Sequence, residues 1–384
     1  MATRAIANGG GNWNSTGTWV EGAVPVAGDA VVATATSGQL TVNVASACAS
    51  IILTNYANTL TFNASLTVTS TVTFVAGMNI AGTTGALICN GTLTLTSAGK
   101  TLTNGLSLQG ANTYTLADDW TVNGVVTVGT ASNALTITGA KNLNCAGGLG
   151  SSTTAVVTFT GLTAINLTGG TWSGVGTATF SGNININGNI TLASTLKFGG
   201  GTLAYLSGSV STGTAVLNIR SSCTLSLGML ALFNITIGVA ALTITLGTAL
   251  TVSTLTLPDG ACTFAGSFDI TVGTFNAVAI TTNRTFTVVA GQKINVTLAI
   301  VFSTAQTLGN NNRAKFVSSS PGTKWSLILA NGATQNLIYA DFTDCDATGG
   351  QQVFSAGGSV TTCFNVYNTF PVPRAYPSSQ LGVQ

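Results

Sequence analysis

Histidine is absent from the 384 residues, and charge is scarce: 11 Lys and Arg with 9 Asp and Glu, 5% of the chain. Without His, hydroxyl and thiol nucleophiles lack their usual base. Zinc and haem sites lose a principal ligand. The 7 Cys (48, 89, 145, 223, 262, 345, 363) contain no C-x-x-C and read as small buried apolar residues. Cys345 and Cys363 lie nearly one repeat apart and are placed to touch, although the odd count and synthesis in a reducing compartment argue against an obligatory disulfide. The basic residues are scattered singly apart from Arg313 and Lys315. They would not neutralise a row of phosphates, which excludes nucleic acid as a partner. Low charge also argues against long helices, whose exposed faces are usually charged.

Pro is rare, with 6 residues, as expected where many central strands need their N–H groups. The apolar run in Met1–Gly10 is too short for a signal peptide, so the expectation is synthesis in a cytoplasm. No charge falls between Arg220 and Asp259, and Met229–Val252 has the hydropathy of a membrane helix. Its β-branched residues alternate with period two, however, in Ile235–Ile237, Leu242–Leu246 and Leu250–Val252. Strands, not membrane insertion, are the expectation.

What the chain has in abundance is a repeat. The units Ser50–Leu53, Thr71–Phe74, Thr92–Leu95, Thr113–Leu116, Ala134–Ile137, Val156–Phe159 and Thr177–Phe180 recur every 21 or 22 residues. Each alternates apolar side chains with Thr or another outward residue, the period of a strand with one buried face. Two further series keep the same beat: Leu40, Leu60, Ile80, Leu102, Val122, Leu143 and Ile165; and Leu66, Leu87, Leu108, Val128 and Leu149. Three short strands per 21-residue unit, stacked unit on unit, describe an all-β, single-stranded parallel β-helix. Right-handed crossovers are the rule for such connections. Residues 31–345 hold roughly 15 coils at this period. The 47 Gly suit tight corners, and Asn-Gly at 90–91, 104–105, 123–124, 187–188 and 331–332 marks places where a positive φ is expected.

In chain order, residues 1–30 read as an extended arm followed by a cap, with Trp13, Trp19, Pro25 and Gly28-Asp29 covering the first coil. Residues 31–345 form the β-helix and residues 346–370 a closing coil. Residues 371–384, with three of the six Pro, read as an extended tail that lies against a partner. The W-x5-W-x5-P-x2-G-D-x-V opening and the closing stretch Asn336–Asp346 through Tyr367 resemble phage virion appendage proteins of the parallel β-helix type (tail fibres, tailspikes or capsid-decorating fibres) and, as an alternative, bacterial surface β-helices that act as adhesins. The phage resemblance implies a structural protein of a virion, made in the host cytoplasm, that serves assembly or attachment. Its implied partners are other virion proteins, in a homotrimer or a shell- or tail-bound assembly, and a host surface glycan.

Two acidic clusters are the candidates for chemistry. Asp118-Asp119 reads as a solvated turn. Asp341, Asp344 and Asp346 form D-x-x-D-x-D, and strand alternation puts Asp344 and Asp346 on one face, where they could bind Ca²⁺ or act as the acid and base of a polysaccharide-cleaving tailspike. Trp325, Tyr339 and Phe342 are the aromatics nearby, Phe342 better suited to the interior. A polar last coil facing solvent explains the same acids without chemistry, and the reading adopted is no catalytic, metal or cofactor site. T-x-T ranks also suggest ice binding, but Ala134 and Val156 break the outer rank of Thr71, Thr92 and Thr113.

Overall fold

The computed structural model describes all residues except 83, 130–134, 152–155, 175–178, 194, 212–214, 229–231, 259, 281–282, 305–311 and 370–384. The chain is a parallel β-solenoid of about 14 turns with roughly 21 residues per turn, and strands make up 59% of it. Two compact units divide it, residues 1–233 and 234–384. The tail assigned to 371–384 lies outside the described residues.

In the first unit, three ranks of strands recur as the sequence requires. One runs Ala30–Val32, Ser50–Ile52, Thr71–Thr73, Leu93–Thr96, Thr113–Leu116, Leu135–Thr138 and Val156–Thr160, each strand parallel to the next. A second passes from Leu40–Val42 to Thr59–Phe62 and Asn79–Ala81, and later from Trp120–Val122 through Asn142–Cys145 to Ala164–Leu167 and Ile184–Ile186. The third runs from Leu66–Val68 through Ala86–Cys89, Gly105–Leu108, Val126–Val128 and Gly148–Ser151 to Thr171–Gly174. Inward positions are apolar and closed to solvent: Ile51, Val72, Leu95, Leu108, Val128 and Leu143 are all at 0% exposure.

The register differs from the sequence alignment in one respect. Ile51 pairs with Val72, but Val72 pairs with Leu95 and not Leu93. Leu93 pairs with Tyr114, and Tyr114 with Ile137 rather than Leu135. Slips of two residues therefore occur at some coil boundaries. They leave inward residues inward, because the side-chain period of a strand is two. They also mend the Thr rank. Thr113 pairs with Thr136 and Thr115 with Thr138, and Thr136 pairs in turn with Thr158.

The N-terminal stretch, expected as an arm, is part of the stack. Thr3–Ala5 pairs parallel with Ala30–Val32, and Gly11–Asn12 with Leu40–Thr41. The cap behaves as its residues suggest. Trp13 and Trp19 are buried edge-to-face at 5.1 Å, and the Trp19 indole N–H donates to the Trp13 carbonyl. Asp29 accepts the Ala2 N–H at 3.0 Å and the Arg4 guanidinium at 3.1 Å, tying residues 2–4 to the first coil.

The second unit repeats the three-rank plan. Leu242–Leu246 is followed by Cys262–Ala265, then Arg284–Val288 by Ala314–Ser318, Ala340–Thr343 and Val360–Thr361. Its core is aromatic: Phe286, Phe316 and Phe342 occupy successive coils with ring centroids 5.0 and 5.3 Å apart, and Phe302 meets Phe316 at 4.9 Å. Among the described residues no helix is long and apolar enough to cross a membrane. The described part of Met229–Val252 consists of strands Leu232–Ile237 and Leu242–Leu246 and the start of Leu250–Leu257, joined by turns.

The Asn-Gly corners hold for a different reason from the one expected. Only Gly332 of the five takes a positive φ, +86°. At Gly91 a Cβ would lie 2.0 Å from the Thr69 carbonyl oxygen of the adjacent coil, and at Gly188 2.0 Å from that of Thr168. Glycine is demanded there by close stacking of coils, not by backbone conformation.

Candidate functional site

Acidic side chains are so few that where each one points is informative. Asp118 accepts the backbone N–H of Ser97 at 2.7 Å and that of Ala98, both one coil back. Asp119 reaches the next coil, accepting the Asn142 N–H at 2.9 Å and its side-chain amide at 3.1 Å. The pair expected as a solvated turn is a two-way clamp between three coils. The Asn142 N–H is the main reason the Asp119 carboxyl lies below its ordinary range.

The D-x-x-D-x-D acids lie in the second unit, and each serves a separate corner. Asp341, in Ala340–Thr343, pairs with Arg313 at 2.7 Å and accepts the Ser359 N–H at 2.6 Å. Asp344 is 5% exposed and has φ +52°, so the strand breaks there and the alternation that would align it with Asp346 fails. Its two oxygens accept the Gly322 N–H and the Thr362 hydroxyl. The hydroxyl first, and then the N–H, hold its carboxyl below the usual range. Asp346 closes its own turn, accepting the hydroxyl and N–H of Thr348 at 2.7 and 2.9 Å, which lower its pKa in that order. No group of three or more Cys, Asp or Glu that could hold a metal ion occurs among the described residues.

Of the aromatics the sequence offers near these acids, Trp325 is a core residue at 0% exposure, Phe342 packs inside as expected at 1%, and Tyr339 is half-exposed. The exposed rings are Phe354, Phe364 and Tyr367, at 40%, 54% and 46%. Phe354 stacks on Tyr367 at 5.7 Å, and the Lys324 ammonium sits 4.0 Å over the Phe364 ring. An open hollow of about 430 Å³ is lined by Thr348, Phe364, Asn365 and Tyr367. Irregular backbone, with Thr362 and Asn365 both at positive φ, carries these residues. Alternation had no purchase there, and only the lack of a regular apolar partner series around Phe364 could have marked it as outward.

The same surface contains the Cys345–Cys363 neighbours. Cys345 is buried and Cys363 half-buried, and the Cys345 N–H points at the Cys363 sulfur at 3.3 Å. The other five cysteines are buried, as their apolar reading required. Burial pushes the Cys145 thiol up to about 12.

Polar ladders mark the outer faces of the first unit. The Asn166 side-chain amide donates to Asn144 at 2.8 Å, and Asn185 to Asn166 at 3.0 Å, one residue per coil. Such chains of side-chain amides satisfy each other along the stack. Comparison with protein-family models, with curated proteins and with solved structures finds no match for this chain.

Proposed function

We propose that the chain is a non-enzymatic structural protein of a phage virion, a tail fibre, head fibre or capsid decoration. It acts there as a β-helical element for assembly or host-surface attachment. The observation that carries this reading is the use of its carboxylates. Asp29, Asp118, Asp119, Asp341 and Asp344 all bind groups of neighbouring coils or loops, and Asp346 closes a turn. A chain with 9 acidic residues that places these six on its own corners is organised for stiffness. A long repeat with so little charge also has little to keep it apart from other protein, so association with other virion proteins, as a homotrimer or on a shell or tail, is its expected state. The experiment is to purify particles from a culture that makes this chain and look for it by mass spectrometry and immunogold labelling. Co-sedimentation at fixed stoichiometry supports the proposal. A monomer left wholly in the particle-free fraction overturns it.

A second reading rests on the mended Thr ranks. Thr113 and Thr115, then Thr136 and Thr138, are half-exposed and stack coil on coil. Strands about 4.8 Å apart place such hydroxyls and methyls in a regular outward lattice, the pattern of ice-binding surfaces. Thermal hysteresis, or suppressed ice recrystallisation, in the purified protein would favour it over the virion reading.

A further inference from the structure

Cys345 and Cys363 are in-register neighbours on adjacent coils. Asp346 bridges Phe364 in parallel, and the Phe364 N–H donates to the Cys345 carbonyl at 2.9 Å. Parallel strands lie about 4.8 Å apart, within the Cα separation of about 4.4–6.8 Å that a disulfide spans. The Cys363 sulfur lies 3.3 Å from the Cys345 backbone nitrogen. No other described cysteine pair has this relation: Cys48 pairs in register with Val68, Cys89 with Leu108, Cys145 with Leu167 and Cys262 with Phe286.

The two thiols differ in environment. Cys345 is closed to solvent, and burial raises its pKa. Cys363 is half-buried. Contact with the Cys345 side chain, then the Cys345 N–H and, least, the Lys324 ammonium favour its thiolate, against the opposing effect of burial. Lys324 donates to the carbonyl of the preceding residue, Thr362, and its ammonium sits over the ring of the following one, Phe364. A partly accessible thiol near a cation with a second thiol behind it is the arrangement of an attacking and a resolving cysteine.

We propose that Cys363 and Cys345 form a redox-closable staple, in which Cys363 attacks an incoming disulfide and Cys345 resolves it. With oxidised glutathione as oxidant, the Cys363 thiolate bonds to one glutathione sulfur and the other leaves as a thiolate. Cys345 then gives up its proton and attacks the Cys363 sulfur, expelling the second glutathione. Two protein thiols become one disulfide, one glutathione disulfide becomes two thiols, and the protons released are taken up by the departing thiolates. The bond joins the coil containing Cys345 to the segment leading into Val366–Thr369, the last described strand.

The test treats the folded full-length chain with oxidised glutathione, traps remaining thiols by alkylation and maps the peptides. The expected result is a linked 345–363 peptide, the other five cysteines unmodified, a raised melting temperature and full reversal by a dithiol reductant. Cys345→Ser should stop at a glutathione adduct on Cys363. A Cys363 that stays a thiol, or a wild-type chain that accumulates the adduct without closing, overturns the proposal. Should Cys345→Ser fail to fold, pulsed alkylation of the wild type decides. Cys363 should react at least about tenfold faster than Cys345, and equal rates refute the assignment of roles.

Discussion

Leu95 stands beside Val72 in the parallel sheet, two residues along from Leu93, which the 21-residue beat would have placed there. Leu93 in turn faces Tyr114 on the next coil. The strand thus presents two inward residues: Leu95 pairs with Val72 before it and Leu116 after it, and Leu93 only with Tyr114 after it. A shift of one residue would have turned every apolar side chain outward, whereas a shift of two leaves burial unchanged. The fold tolerates this drift because the core needs only parity.

That parity yields the first prediction. Leu93 is 4% exposed and Thr94 faces solvent. Leu93→Asp puts an unpaired charge in the stack and should cost on the order of 3 kcal/mol or more, while Thr94→Asp should stay within about 0.5 kcal/mol. Thermal melts of the two variants check it, and equal losses would refute the inward–outward assignment.

The glycine corners give the second. Gly91→Ala would force a Cβ to 2.0 Å from the Thr69 oxygen, so the coil spacing must open. Gly332 has open space around it and only its positive φ to lose, which costs about 1–2 kcal/mol. Gly91→Ala should therefore lower the melting temperature more than Gly332→Ala. The reverse order would mean that backbone conformation, not coil contact, sets these positions.

Part of this fold is legible in the chain. Period-two alternation and the 21-residue beat carry the three ranks and the buried face, because both are properties of a single strand and its copy. The two-residue slips were invisible, since Leu93 and Leu95 are equally good inward residues. The role of Asp118 was hidden for a related reason: its partners, Ser97 and Ala98, lie a full coil back and have no local mark as a binding site. Phe364 is hard to place because the backbone around it is irregular. Trp325 opens a strand whose alternation buries it, and Phe342 goes inward as alternation from buried Ala340 requires.

Acid should loosen the stack through the clamp carboxylates. Asp29, Asp119, Asp344 and Asp346 all have pKa values below their ordinary 3.8, held down chiefly by N–H or hydroxyl donors. A carboxylate depressed in the folded state contributes stability that is complete above its unfolded pKa and is lost as pH falls through the folded value. The melting temperature should hold steady between about pH 5 and 6, where no histidine exists to titrate, and fall progressively below about pH 4. A constant value down to about pH 2 would show that these hydrogen bonds do not distinguish folded from unfolded chain.

Asp344 separates the structural reading from the enzymatic one. Its carboxylate accepts from the Gly322 N–H and the Thr362 hydroxyl. Asn keeps one acceptor oxygen for Gly322 and offers an amide N–H₂ to Thr362, whose hydroxyl can accept while donating to the Thr361 carbonyl. Asp344→Asn should therefore lower the melting temperature slightly, and Asp344→Ala, which leaves the Gly322 N–H unanswered and puts Ala at a φ of +52°, clearly more. A catalytic acid or base gives a different order, since either substitution removes the proton-transfer group and both abolish turnover alike. The expected outcome is that wild type and both variants release no oligosaccharide from bacterial capsule or lipopolysaccharide while differing in stability as described. Release by the wild type that Asp344→Asn abolishes at unchanged melting temperature would make Asp344 a catalytic group and the chain a polysaccharide-cleaving tailspike.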